Sequence, residues 1–342
     1  MSLDTAQPPV DRRQEQLEQW LADQLGAQLS GQSAGSDAGF RRYFRYQHNG
    51  RSLIAMDAPP DKEDCRPFIK VAAMLTRSGV HVPEILAQDL AQGFLLLSDL
   101  GLQTYLDVMN SPDFNLDQAD AYFADATEAL IKFQLSSQPD QLPPYDEALL
   151  RRELTLFPEW YLQRHLGLEL DDTWSQLLEQ LFDQLISQIL PQQNVYVHRD
   201  YMPRNLMVNQ GAGVGVLDFQ DAVYGPISYD ISCLFKDAFI SWPEDKVTEW
   251  LQRYWLQAQQ AGLSVPDSFA DFQRHCDIMA TQRHLKVIGI FARIAYRDGK
   301  LRYLTDVPRF FDYLKTVAQR RPELPALSEL LALLESKTQE LL

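Results

Sequence analysis

Three polar residues near the middle of the chain, Asp200, Asn205 and Asp218, have side chains that could carry out phosphoryl chemistry. Asp200 follows one apolar run, Asn205 directly precedes a second, and Asp218 ends a third. The runs are residues 195–197, 206–208 and 214–217, and a tight turn is predicted at 211–213. This pattern predicts strand, loop, strand, turn and strand, with the three polar groups meeting at one end of a small hairpin. A carboxylate there could accept the proton of an acceptor hydroxyl, while an amide oxygen and a second carboxylate could hold Mg²⁺ on a phosphate.

Two of these residues, Asn205 and Asp218, also have an ordinary structural interpretation. Asn205 could be a turn residue and Asp218 could cap a strand, and for either residue alone that interpretation is favoured. The order His198-Arg199-Asp200, then Asn205 five positions after the Asp, then Asp218-Phe219 resembles the catalytic core of kinases. The three residues together therefore favour a catalytic interpretation.

The composition argues against several classes of function. The chain has 342 residues, 45% of them apolar and 23% charged, as in a globular protein large enough for two lobes. The net charge of −16 argues against nonspecific binding to nucleic acid or anionic membranes. Three widely spaced cysteines lack metal-ligand spacing and indicate a reducing compartment. With no secretory signal and no run of 18 apolar residues, the chain is predicted to be cytoplasmic and to stay off the membrane.

The first hundred residues have mostly strand signals and are predicted to form an N-lobe with an N-terminal helix. Asn49-Gly50 predicts a two-residue hairpin turn that pairs Tyr43 with Met56 and Arg45 with Ile54. The small residues from 30 to 40 could let backbone N–H groups approach a phosphate, although such segments are usually only loops. A buried strand over 93–97 leads into residues 98–101, where an adenine could bind the backbone.

The rest of the chain, 101–342, is predicted to form a helical C-lobe around the central hairpin. The apolar periodicity predicts helices at 116–134, 145–165, 173–189, 227–239, 246–261, 268–297, 308–320 and 327–341. The helix at 268–297 is apolar but carries basic groups, which either pair with internal partners or face a ligand.

The distance from Asp218 to the next helix separates two kinds of kinase. A protein kinase has a long activation segment here, whereas this chain has only residues 219–226, which favours a small-molecule acceptor. At this point the chain resembles the aminoglycoside phosphotransferase and choline kinase superfamily. It is most similar to the anomeric N-acetylmuramate/N-acetylglucosamine kinases of bacterial cell-wall recycling. The segments that carry this resemblance are Gly39-Phe40-Arg41-Arg42-Tyr43-Phe44-Arg45, Met56-Asp57-Ala58-Pro59-Pro60, Asp99-Leu100-Gly101, 198–207, Leu217-Asp218-Phe219-Gln220-Asp221-Ala222, Gly225-Pro226 and Arg297-Asp298-Gly299-Lys300.

The resemblance implies a fold, two ligands and a set of site residues. The fold would be α+β and bilobal, protein-kinase-like, with a small, mostly antiparallel-β N-lobe and a larger helical C-lobe. ATP and Mg²⁺ would be bound, with Asp200 as catalytic base and Asn205 and Asp218 as metal ligands. The nucleotide would be bound by Ser36, Asp37, Gly39, Phe40, Arg41, Arg45, Ser98, Asp99 and Leu100. The sugar would be bound by Asp221 and by arginines among Arg204, Arg293 and Arg297, while His198 and Asp230 would support the loop.

One departure concerns the phosphates. Met56 stands where this superfamily usually has a phosphate-pairing Lys, so Arg41 or Arg45 is predicted to supply the missing cation. These arginines could instead face solvent or pair with Asp57.

Two further functions remain open at this stage. An aminoglycoside or choline-type amino-alcohol phosphotransferase would use the same three residues, and the acidic composition does not exclude it. A nucleotide-binding regulator without turnover is the second, and the intact set of Asp200, Asn205 and Asp218 argues against it. The predicted partner is a small-molecule sugar, and the sequence makes no prediction about protein partners.

Overall fold

The computed structural model describes residues 11–36, 40–209 and 213–341. Within these residues the strands are β1 Gln32–Ser36, β2 Arg42–His48, β3 Arg51–Asp57, β4 Ile85–Asp89, β5 Phe94–Ser98, β6 Asn194–Val197, β7 Leu206–Met207, β8 Gly215–Val216 and β9 Val223–Pro226. The helices are α1 Arg12–Leu25, α2 Cys65–Arg77, α3 Tyr105–Met109, α4 Leu116–Leu135, α5 Glu147–Leu154, α6 Asp172–Ile189, α7 Ser228–Phe235, α8 Glu244–Gln260, α9 Phe269–Arg297, α10 Val307–Arg320 and α11 Pro325–Leu341. A π-helix covers Phe157–His165, and short 3₁₀ turns cover Pro203–Asn205 and Leu301–Asp306.

A five-stranded sheet in the order β1-β2-β3-β5-β4 occupies the first part of the chain. The predicted hairpin is confirmed, because Tyr43 pairs with Met56 and Arg45 with Ile54. Asn49 and Gly50 both have positive φ, 50° and 74°, as a type I′ turn requires. The register of the sheet is therefore set locally by this turn.

The two faces of the sheet have different surroundings, because one packs against a helix and the other lines a cleft. Helix α1 covers one face, where its Leu17, Trp20 and Leu21 form a cluster with side chains including Phe44 and Tyr46. The alternation of side chains along β2 turns Tyr43 and Arg45 to the opposite face, which lines a cleft.

A buried carboxylate ties α1 to the sheet. Asp57 has a fully buried side chain, and both Arg13 and Arg42 form salt bridges with it. Arg42 donates from Nε and NH2 to Oδ2 at 3.1 and 2.6 Å. Asp57 was considered above as a partner for Arg41 or Arg45. It pairs with Arg42, which lies between them, and with Arg13.

The central segment differs in one respect from the predicted hairpin. Strands β7 and β8 form the two-stranded hairpin, but β6 pairs with β9 further along the chain. Residues 211 and 212 of the predicted turn lie outside the described residues. Asp200, Asn205 and Asp218 therefore come from two small sheets rather than one.

The helix predicted at 145–165 is two elements, α5 and the π-helix. Pro158 has no N–H to donate to the carbonyl four residues earlier, so the α-helical hydrogen bonding ends before it. Helix α9 packs closely against this junction, because a Cβ at Gly289 would lie 2.3 Å from the carbonyl carbon of Leu156. None of the helices in the described part of the chain is long and apolar enough to cross a membrane.

Candidate active site

The loop that carries Asp200 is held by hydrogen bonds to its backbone. Asp230 of α7 accepts from the backbone N–H groups of His198 at 2.6 Å and Arg199 at 3.0 Å. The backbone N–H of Asp200 donates to His198 Nδ1 at 3.2 Å, so His198 Nε2 must carry the hydrogen that it donates to the Leu217 carbonyl at 2.9 Å. His198 and Asp230 therefore both lie in hydrogen-bonding contact with the backbone of the loop that carries Asp200.

The protonation states of these two supports follow from their burial. Burial lowers the pKa of His198 to about 4, so the ring is neutral at pH 7, in agreement with its hydrogen bonds. Burial raises the pKa of Asp230 to about 7. The two hydrogen bonds that Asp230 accepts from backbone N–H groups act in the opposite direction, because they stabilise the charged carboxylate.

The backbone is left-handed at two non-glycine residues of this segment, Arg199 with φ 76° and Asp218 with φ 60°. Such conformations are uncommon for residues with a side chain and often occur at functional sites. At Arg199 the backbone N–H is bonded to Asp230, and the guanidinium forms a salt bridge with Glu153 of α5. These contacts offset the cost of the left-handed conformation.

Asn205 and Asp218 offer oxygen ligands of the kind that Mg²⁺ prefers. Asn205 Nδ2 donates to the Asp200 carbonyl at 2.8 Å, and because this bond uses an amide N–H, it does not occupy Oδ1. Gln220 Nε2 donates to Asp218 Oδ1 at 2.8 Å. No group of three or more His, Cys, Asp or Glu suited to a metal occurs among the described residues. The two residues therefore fit an ion that takes its remaining ligands from water and phosphate.

A narrow cleft of about 370 Å³ lies between the sheet and the β7–β8 hairpin. Ser98, Asp99 and Leu100 line it, together with Asn205 and Asp218. The predicted adenine position and the predicted metal ligands therefore share one cavity.

Arg45, one of the two candidate phosphate cations, is engaged in this cleft by a carboxylate. Its Nε and NH2 donate to Asp99 at 2.6 and 3.2 Å, and NH2 also donates to the Gly101 carbonyl at 2.8 Å. Ser52 Oγ donates to the same carboxylate at 2.5 Å. Arg45 therefore fixes the segment after β5, while it also lines the narrow cleft, so its predicted contact with a nucleotide stays a prediction.

Arg41 lies nearer to the predicted metal ligands. Its NH2 is 4.0 Å from Asp218 Oδ1, and its side chain is only 12% exposed. Met56 is fully buried in β3, so position 56 itself supplies no cation to the cleft.

The predicted phosphate loop is only partly described. Ser36 ends β1, and Asp37 and Gly39 lie outside the described residues. Phe40 is exposed, and its backbone N–H donates to Glu63 at 3.2 Å.

A wide cleft of about 1070 Å³ opens on the other side of Asp218. Asp200, Asp218, Asp221 and Arg293 line it. Asp218 lines both clefts, whereas Asn205 lines only the narrow one and Asp200 only the wide one. The two clefts therefore adjoin at Asp218, so that a ligand in the narrow cleft would lie close to a ligand in the wide cleft at this residue.

The structure does not bring the other two candidate arginines to the wide cleft. Arg204 lines the narrow cleft and lies over the Phe239 ring, with its Cζ 5.0 Å from the centroid. Arg297 forms an ion pair with the adjacent Asp298, its Nε 2.6 Å from Oδ1.

Sequence reasoning missed the buried polar network beside the loop that carries Asp200. Glu153 forms salt bridges with Arg199 and with Lys286, whose Nζ is 3.1 Å away, and accepts hydrogen bonds from Tyr145 and Gln282 at 2.5 and 3.2 Å. Lys286 is one of the basic groups in the apolar helix α9. These groups were predicted either to pair with internal partners or to face a ligand, and Lys286 has Glu153 as its internal partner. Glu153 has no sequence signal of its own, because all its partners except Tyr145 are distant in sequence.

Known structures share this fold. The gentamicin complex of APH(2")-IIa matches with a TM-score of 0.60 over 90% of this chain and 97% of that chain, at 14% identity. The ADP-bound APH(2'')-Ib matches with a TM-score of 0.58 over 87% and 97%, at 14% identity. These matches, together with the antiparallel sheet and the helices described above, confirm the predicted α+β, kinase-like fold class.

Sequence comparison gives closer relatives and a family. Two proteins named N-acetylmuramate/N-acetylglucosamine kinase are 60% identical over 86% of this chain (85% of the relative, Pseudomonas aeruginosa) and 55% identical over 96% (98% of the relative, Pseudomonas putida). A third of the same name, from Neisseria meningitidis, is 46% identical over 85% of this chain and 86% of the relative. The model of the APH phosphotransferase enzyme family matches residues 30–271. The chain therefore belongs to the APH phosphotransferase enzyme family and is itself a phosphotransferase.

Proposed function

We propose that this protein is an ATP-dependent kinase that phosphorylates the anomeric C1 hydroxyl of N-acetylmuramate and N-acetylglucosamine in peptidoglycan recycling. The observation that carries the proposal is the 60% identity, over 86% of the chain, to a protein named for these two sugars. The arrangement of the two clefts supports it, because a nucleotide and a sugar could each occupy one cleft and meet at Asp218. We also propose the division into an N-lobe, 1–100, and a C-lobe, 101–342, and a cytoplasmic location, where ATP is available.

In this proposal ATP occupies the narrow cleft with its adenine beside residues 98–100. The sugar occupies the wide cleft with its C1 hydroxyl beside Asp200. The hydroxyl oxygen attacks the γ-phosphorus, the bond from that phosphorus to the ADP oxygen breaks, and the hydroxyl proton passes to the Asp200 carboxylate. A magnesium ion held by Asn205 and Asp218 would neutralise charge on the phosphates.

Arg41 supplies the cation for the phosphates in place of the usual Lys. Its position 4.0 Å from Asp218 puts a guanidinium at the junction of the two clefts, and Arg45 is already paired with Asp99. Asp221, which lines the wide cleft, accepts hydrogen bonds from hydroxyl groups of the sugar.

The test is ADP release from Mg·ATP with a panel of acceptors that separates the three functions. N-acetylmuramate and N-acetylglucosamine represent the proposal, kanamycin and choline the alternative phosphotransferases, and a reaction without acceptor gives the background. We expect ADP release with the two N-acetylated sugars only. Release with kanamycin or choline but neither sugar would refute the proposal. ATP binding without release on any acceptor would support a regulator instead.

A further inference from the structure

The wide cleft differs in charge from the protein as a whole. The chain has a net charge of −16, yet the residues lining this cleft include six basic and five acidic side chains. The basic residues are Arg41, Arg66, Lys70, Arg152, Arg199 and Arg293, and the acidic ones are Glu63, Asp64, Asp200, Asp218 and Asp221. A cleft with a slight positive excess in so acidic a protein favours an acceptor that carries a negative charge.

Four of the six basic groups already face partners within the protein. Arg66 Nε is 2.9 Å from Asp64 Oδ1, and Lys70 donates to the carbonyl of Gln141. Arg199 is paired with buried Glu153, and Arg41 lies near Asp218. Each of these four basic groups therefore already interacts with a carboxylate or a carbonyl group of the protein.

The other two, Arg152 and Arg293, make no side-chain hydrogen bond or ion pair with any residue that the structure describes. Arg152 is exposed at the cleft. Arg293 is partly buried, and its Nε is fully buried without an acceptor. An unpaired buried N–H of a charged group is costly, and an anion in the cleft would remove that cost.

Both arginines lie on helices that pack against each other. Arg152 is on α5 next to Glu153, which is bonded to Gln282 and Lys286 of α9. Arg293 is one helical turn after Gly289, where α9 packs against the backbone that follows α5. The two guanidinium groups are therefore carried by helices that are fixed to each other by buried contacts.

We propose that Arg152 and Arg293 form a carboxylate subsite in the wide cleft that selects an acidic acceptor sugar over its neutral counterpart. This inference rests on the proposed function and names how the two sugars are distinguished. N-acetylmuramate carries a lactyl carboxylate that N-acetylglucosamine lacks, and a guanidinium binds a carboxylate with paired, charge-assisted hydrogen bonds. The sequence suggested three arginines that could bind the sugar. In this proposal Arg293 is the one that binds the carboxylate, and Arg152, which the sequence did not indicate, binds it as well.

The test measures kcat/KM for both sugars with Arg152→Gln and Arg293→Gln. We expect the muramate-to-glucosamine ratio of kcat/KM to fall about tenfold or more in each variant, as for a lost charge-assisted hydrogen bond. Arg293→Lys, which keeps the charge, is expected to restore part of the ratio. Because the ratio is taken on one enzyme preparation, a change in the folded fraction cancels.

Arg66→Gln is the matched control, because it removes one positive charge from the same cleft but from a guanidinium already paired with Asp64. Its ratio is expected to stay within about twofold of the wild-type value, since an exposed ion pair contributes little. If both sugars are used and the ratio is unchanged in the Arg152 and Arg293 variants, or falls equally in the control, the subsite is wrong while the proposed function stands. If the wild-type enzyme uses neither sugar, the proposed function fails and the subsite with it.

Discussion

The network around Glu153 links the loop that carries Asp200 to helices α5 and α9. The substitution Glu153→Gln tests how much the negative charge of Glu153 contributes to this network. Glu153 is 4% exposed and faces Arg199 of the loop and Lys286 of α9. Glutamine has nearly the same shape, so the substitution leaves the packing in place but leaves buried Lys286 and partly buried Arg199 without their counter-charge. We expect a large loss of stability and a smaller loss of turnover, because Arg199 adjoins Asp200.

Two arguments give the same magnitude for this loss. Removing one partner of a buried ion pair costs about 3–5 kcal/mol, because the remaining charge stays buried. Burial alone would raise the pKa of Glu153, but Lys286 and Arg199 lower it from 4.5 to about 2. Such a lowering corresponds to about 3 kcal/mol of stabilisation. This contribution is present above pH 4.5 and is lost as the pH falls towards 2.

The assay is urea unfolding at pH 7.5, with Glu147→Gln as the control on the same helix. Glu147 pairs with Arg151 at 3.0 Å, but both side chains are exposed to solvent, so this change should cost at most about 1 kcal/mol. We expect Glu153→Gln to lower the free energy of unfolding by about 3 kcal/mol. A loss below about 1 kcal/mol, or one equal to that of the control, would show that the network does not hold the loop in the way described.

Three further predictions concern the loop and the clefts. Asp200→Asn should leave the free energy of unfolding and ATP binding by calorimetry nearly unchanged while lowering kcat about 10²–10⁴-fold, and near-wild-type turnover would exclude a general base there. Asp218→Ala should abolish activity, whereas Asn205→Ala should be partly rescued at high Mg²⁺; if neither variant shifts the Mg²⁺ titration of the rate, these residues are not metal ligands. The pKa of His198 is lowered from 6.5 to about 4, so its contribution to stability is complete above pH 6.5 and is lost as the pH falls towards 4. Between pH 7 and 4.5 the wild type should lose about 2 kcal/mol more stability than His198→Gln, and parallel pH curves from urea unfolding would contradict this.

The features that the sequence predicted correctly depend on neighbouring residues. The hairpin between β2 and β3 follows from Asn49-Gly50, whose backbone preferences fix the turn and hence the register. The spacing of Asp200, Asn205 and Asp218 likewise lies within one short segment. Their roles as base and metal ligands stay predictions that the variants above test.

The features that sequence reasoning missed depend on contacts between distant residues. Arg45 forms a salt bridge with Asp99, 54 positions later, and nothing local in the sequence indicates that pairing. Strand β6 likewise pairs with β9, although the loop and the β7–β8 hairpin lie between them in the sequence.

The choice between adjacent arginines on α5 is a matter of helix rotation. Arg151 pairs with Glu147 of its own helix and with Glu179 and Asp183 of α6, whereas Arg152 lines the wide cleft. The sequence gives both residues the same signal, and the packing of α5 against α6 and α9 separates them.

The position of the phosphate on the product tests the central proposal most directly. Phosphorus and proton NMR of the products from N-acetylmuramate and N-acetylglucosamine should show coupling of the phosphate to the anomeric proton of each sugar. The corresponding alditols and C1-methyl glycosides, which lack that hydroxyl in reactive form, should not be phosphorylated. Phosphate on C6, or turnover of the methyl glycosides at the rate of the free sugars, would contradict the assignment of the anomeric hydroxyl as the acceptor.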